Sequence, residues 1–189
     1  PVAPRGGTKG GEKGGGTTKV AGKSVATGLP AGMLAFGGSR IDSFRAVVAM
    51  KDGGALAIGS TESSGAGGFD MWLVRTDRTG AIVWQKQFGG AGDDYGLAVT
   101  TTEDGGAVVA GAADGRRFLW ILRIDDKGEV RWSRRIDAGY RGHVTAVVGT
   151  RDGFAVTAVV EATKGASVTG SLIRLDKDGG TLWRRNFDP

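Results

Sequence analysis

MWLVRTDRTGAIVW (residues 71–84) returns as LWILRIDDKGEVRW (119–132) and, slightly shortened, as SLIRLDKDGGTLW (171–183). Each copy runs from an apolar segment through an arginine to a D-x-x-G turn and closes on a tryptophan. The anchors keep step: Trp84 to Trp132 and Arg75 to Arg123 are both 48 residues, and Trp132 to Trp183 and Arg123 to Arg174 are both 51. Upstream, Asp52-Gly53-Gly54 recurs as Asp104-Gly105-Gly106 and as Asp152-Gly153-Phe154. Phe36-Gly37-Gly38 recurs as Phe88-Gly89-Gly90 and faintly as Ile136-Asp137-Ala138. Length changes therefore fall between anchors, in loops. Self-similarity at a period of this size signals a repeat architecture.

Each unit reads as four short strands. In the second, Leu97–Thr102 is β-branched and apolar, and Glu103-Asp104-Gly105-Gly106 turns the chain because glycine accepts positive φ. Ala107–Ala112 follows, then a variable loop, Phe118–Asp125, the turn Asp125-Asp126-Lys127-Gly128, and Val130–Ile136. Turns at intervals of about eight to twelve residues, with no helix-period segment, predict an all-β protein. Four strands per unit at this period predict β-propeller blades. The small residues of the second strand suit a crowded interior. The third strand, apolar on both faces at Trp72, Leu73 and Val74, suits packing between neighbours. A tryptophan offers large buried area and an N–H that needs a partner. Trp72, Trp84, Trp120, Trp132 and Trp183, with Gly53, Gly54, Gly105 and Gly106, are therefore read as the structural blade motif.

The segments DRTGAIVW (77–84), DDKGEVRW (125–132) and DKDGGTLW (176–183) resemble the D-x-x-G-x-x-x-W repeat of quinoprotein-like (PQQ-type) and WD40-like propellers. With FGG-x-x-x-D and D-G-G added, the pattern is similar to tandem-repeat propellers of bacterial secreted and multidomain proteins. The resemblance covers roughly residues 33–189 and implies a fold more than an activity, since one scaffold hosts many functions. It tilts the expected location toward the periplasm or the cell exterior. The third unit departs from the pattern, with Ser171 in place of Trp72 and Trp120, and Gly142 in place of Asp42 and Asp94. It reads as a degraded or terminal blade.

The expected organisation is a disordered Gly/Lys-rich linker over 1–30 and propeller repeats over 31–189, with blades at about 37–87, 88–136 and 137–187. Residues 1–30 hold nine glycines, five Lys/Arg and one acid, leaving 20 basic against 19 acidic residues for 31–189. So little apolar surface cannot offset the entropy of ordering. The linker's charges, widely spaced with no aromatic between them, give no strong nucleic-acid signal. No apolar run approaches the roughly 20 residues of a membrane helix. Both ends fall inside a repeat, and propellers close with about four to eight blades. We expect missing blades or a homo-oligomer, for example two chains giving six.

Chemistry is sparse. There is no cysteine and one histidine, His143, so a zinc site or a His-based relay is not expected. Asp125 opens a turn, as Asp77 and Asp176 do, which explains it by capping. Asp176-Lys177-Asp178-Gly179 mimics the start of a calcium loop but lacks the closing Glu, with Phe187 at that place. Arg75, Arg123 and Arg174 read as cross-strand partners of acids such as Asp77, Asp125 and Asp176, or else as a ring facing an anionic partner. No catalytic residue, cofactor or metal is assigned. The expected function is a non-catalytic scaffold that binds a protein or glycan through rim loops at 60–69, 112–117 and 161–170, with Asp42, Asp94, Arg116 and Arg117 as candidate contacts. The alternatives are part of a quinoprotein dehydrogenase propeller or an accessory domain of a larger enzyme.

Overall fold

The structure, a computed structural model, describes residues 36–187. The predicted linker 1–30 lies outside them. Twelve strands form three four-stranded antiparallel sheets, each in sequence order. The first holds β1 (Asp42–Ala49), β2 (Ala55–Thr61), β3 (Asp70–Thr76) and β4 (Ile82–Phe88). The second holds β5 (Tyr95–Thr101), β6 (Ala107–Ala113), β7 (Phe118–Ile124) and β8 (Val130–Asp137). The third holds β9 (Arg141–Thr150), β10 (Gly153–Glu161), β11 (Thr169–Asp176) and β12 (Thr181–Phe187). These are the blades of an incomplete propeller. Among the described residues no helix is long and apolar enough to cross a membrane.

The D-G-G turns owe their second glycine to crowding. A Cβ on Gly54 would sit 2.0 Å from the Thr76 carbonyl, and one on Gly106 2.2 Å from that of Ile124. In the third blade the turn tightens by one residue. Gly153 then meets the equivalent Leu175 carbonyl at 2.1 Å, and position 154 is free to be Phe. A bulge interrupts the first strand of every blade. Opposite it in the first two, Gly59 and Gly111 leave only 1.8 Å between a Cβ and the carbonyls of Ser43 and Tyr95.

Alternation along the inner strands divides the apolar residues between two cores. Ala107, Val109, Trp120, Leu122 and Ile124 face the first blade, packing with Leu56, Ile58, Met71 and Leu73. Val108, Ala110, Leu119 and Ile121 face the third, packing with Val144, Phe154, Val156 and Ile173. Neither cluster shares a side chain with the other.

The closing tryptophans join the blades. A second bulge, at Val83, Arg131 and Leu182, precedes each of them and re-aims the side chain. Trp84 Nε1 donates to the Asp126 carbonyl and Trp132 Nε1 to that of Lys177, both at 3.0 Å. Both acceptors are the second residue of the next blade's D-x-x-G turn. The ring lies on that turn's glycine: a Cβ on Gly128 would meet Trp84 at 3.1 Å, and one on Gly179 would meet Trp132 at 2.9 Å. Trp183, by contrast, is 43% exposed. The third-strand tryptophans act within a blade. Trp72 Nε1 donates to Gln85 and Trp120 Nε1 to Ser133. At Ser171 the direction reverses, and Arg184 Nε donates to the hydroxyl.

One expected pairing is corrected. Arg75, Arg123 and Arg174 bind Asp52, Asp104 and Asp152 of the first hairpin in their own blades, at 2.6 Å and 2.7 Å in the first two. Asp77, Asp125 and Asp176 are committed elsewhere. Their Oδ1 atoms accept amides two and four residues ahead, capping the D-x-x-G turns.

Candidate functional site

The loops that differ most between blades lie at one end of the sheets. They are 62–69, 114–117 and 162–168, each slightly shorter than expected because the flanking strands run further. Backbone hydrogen bonds tie them to the inter-blade connections in succession. Asp94 N donates to Phe69 O, Gly115 N to Asp93 O, Gly142 N to Arg116 O, Ala138 N to Arg117 O, and Tyr140 N to Glu161 O. The result is a continuous rim across all three blades.

Its centre is strained. Asp114, Gly115 and Arg116 take φ of 52°, 64° and 75°, a left-handed run that two non-glycine residues enter at a cost. Bonds to Asp93 and Asp94 in the connection before β5, and from Gly142 in the third blade, hold them there. This conformation places Arg116 over the ring of Tyr95 at 5.4 Å and Arg117 over Phe118 at 5.6 Å, with both arginines exposed. Phe69 tilts against Tyr95 at 5.5 Å. The Tyr95 hydroxyl donates to Asp93 at 3.3 Å. Burial, and after it the Asp93 charge, raises the phenol pKa. His143 stands beside this group, and burial followed by the Arg116 charge lowers its pKa, favouring the neutral ring.

The candidate aspartates sit beneath this surface. Asp42 accepts the Gly38 amide at 2.7 Å and the hydroxyls of Thr61 and Ser63. Asp94, 2% exposed, accepts the amides of Gly90 at 2.8 Å and Asp114 at 3.2 Å. Both carboxylates therefore brace loops, while Arg116 and Arg117 reach solvent. Where Gly142 replaces the aspartate, Glu161 takes over the bracing, binding the Gly165 amide at 2.7 Å and Arg141.

Sequence reading missed Asp70. It is 1% exposed, and its Oδ2 accepts the Ala66 amide at 2.9 Å. A Cβ at Gly89 would lie 1.9 Å from Asp70 Oδ1 and 2.8 Å from Asp94 Oδ2, so the two carboxyls converge there. Burial raises both pKa values, and the Asp94 charge raises that of Asp70 further. The equivalent positions hold Phe118 and Thr169, so the repeat alignment carried no signal for it. Among the described residues no three of His, Asp or Glu gather as metal ligands.

The opposite end holds a recess of about 620 Å³ between the second and third blades, lined by Glu103, Asp104, Arg123, Arg151, Asp152 and Lys177 among others. Its best-placed charges, Asp104, Arg123 and Asp152, are spent in the intra-blade ion pairs. Neither a protein-family model nor a curated protein matches this chain.

Proposed function

We propose that this chain is a non-catalytic scaffold that binds a protein or glycan ligand through its rim loops. The observation that carries the reading is the strained Asp114–Arg117 turn, which displays two exposed arginines beside Tyr95. Strain retained in a braced surface loop points to function. Arginine and tyrosine are the side chains that most often anchor an interface. The part of the ligand that meets them carries negative charge, since Arg116 and Arg117 offer donors only.

The test is to probe a glycan array and a protein array with the labelled chain and with the double variant Arg116→Gly/Arg117→Ala. Glycine suits the φ at position 116, so the variant keeps its fold. The expected result is a ligand whose affinity falls about tenfold or more in the variant, the loss of one anchor of about 1.4 kcal/mol. A ligand that binds both proteins equally, or no ligand on either array, overturns the proposal.

A further inference from the structure

The two internal joints follow one pattern: a bulge, a tryptophan on the next blade's D-x-x-G turn, and a cation two residues later that crosses with it. Lys86 Nζ pairs with Glu129 at 2.5 Å. Arg134 donates to the carbonyls of Asp178 and Gly179, at 2.9 Å and 3.0 Å. The outer edge of the third blade holds the same elements in readiness. Leu182 is the bulge, Trp183 the tryptophan and Arg185 the cation. Arg185 lies 5.9 Å from the Trp183 ring centre, the same 5.9 Å that separates Arg134 from Trp132 in the formed joint. Leu182, Trp183 and Phe187 are all exposed on this edge.

The first blade offers the counterpart. Its turn, Asp77-Arg78-Thr79-Gly80, is capped by Asp77, closed by Gly80 N donating to Asp77 O at 3.1 Å, and set by φ of 86° at Gly80. The turns that receive Trp84 and Trp132 have the same cap, the same closing bond and φ of 74° and 79°. One chain thus carries both halves of a joint, at opposite ends.

We infer that the third-blade edge docks the first-blade turn of a second copy of this chain, head to tail. Trp183 Nε1 donates to the Arg78 carbonyl of that copy, and Arg185 to its Thr79 and Gly80 carbonyls, by equivalence with the internal joints. Two copies of residues 36–187 supply six blades, within the range of about four to eight at which propellers close. A head-to-tail contact yields a ring when its rotation closes. The new joint is weaker than the internal ones, because Thr157 and Gly170 stand where Ala110 and Leu119 pack in the second blade. Association is therefore concentration-dependent.

Sedimentation velocity of the full chain over a range of concentrations tests this, with Trp183→Ala spoiling one half and Gly80→Asn the other. Asparagine tolerates the left-handed φ but places a side chain where the indole must lie, and near-UV circular dichroism confirms that each variant is folded. The wild type is expected to reach twice the single-chain mass as concentration rises, while each variant alone stays monomeric. An equimolar mixture of the variants regains a dimer, since one intact head meets one intact tail. A wild type that is monomeric throughout, variants that associate as the wild type does, or a mixture that stays monomeric would each overturn the inference.

Discussion

Replacing Trp132 with alanine removes the joint between the second and third blades while leaving both sheets paired. The half-buried ring packs edge-on against Phe154 at 6.0 Å and donates to the Lys177 carbonyl at 3.0 Å. Covering roughly 100 Å², half of what a fully buried aromatic hides, is worth about 2.5 kcal/mol at about 25 cal/mol per Å². The indole hydrogen bond adds about 0.5–1 kcal/mol. The expected loss is about 3 kcal/mol, at the lower edge of the range of about 3–5 kcal/mol for a buried aromatic. Trp183→Ala supplies the comparison: its ring, 43% exposed, sits on no neighbouring blade among the described residues, and its loss costs clearly less than that of Trp132. Guanidinium unfolding at low micromolar concentration, where copies are apart, measures both. Trp132→Phe keeps part of the area without the N–H and falls between. If Trp132→Ala shifts the midpoint no more than Trp183→Ala does, the tryptophans are not what joins the blades.

Gly111→Ala drives a Cβ to 1.8 Å from the Tyr95 carbonyl and costs about 3 kcal/mol or more, whereas Gly149→Ala, with open space around it, is nearly silent in thermal melts. Arg116→Gly relieves a φ of 75° and raises stability by about 1 kcal/mol, even as it weakens rim binding. Asp70→Asn raises the melting temperature at neutral pH: a carboxyl whose folded pKa is raised favours the fold when protonated, fully below its ordinary 3.8 and decreasingly as pH climbs through the raised value, so the two proteins should converge in acid. Asp104 has the opposite sign. The Thr102 hydroxyl and then Arg123 hold its pKa down to about 2, so its contribution is whole above pH 3.8 and vanishes as pH falls through about 2; Asp104→Asn removes that acid-limb dependence.

The blades were legible because the turns are written locally. D-G-G and D-x-x-G fix hairpins through φ and side-chain caps that need no distant partner, and the strands between them follow. Pairing between such segments is harder to read. Arg75 and Asp77 are neighbours in sequence, yet Asp77 is drawn into its own turn, and the arginine reaches over the end of β2 to Asp52. Only the sheet register brings Arg75 opposite Leu56 and so near that hairpin. The rim was legible as variable loops, but its geometry was not. Nothing in Asp114-Gly115-Arg116 announces three left-handed residues in a row, because bonds from Asp93 and Gly142, which lie in neighbouring segments of the chain, impose them. Asp70 escaped for the converse reason: it occurs in one repeat only.

Val108 and Val109 are covalent neighbours that serve different cores, one toward the third blade and one toward the first. Energetic independence is usually a matter of distance, with additivity expected beyond about 7–10 Å. Here a single peptide bond separates two sites whose packing partners are disjoint. Truncations at the two positions should therefore add like mutations in separate molecules, and each should loosen a different seam of the protein. The middle blade acts as a partition wall, and evolution or design can repack one room without disturbing the other.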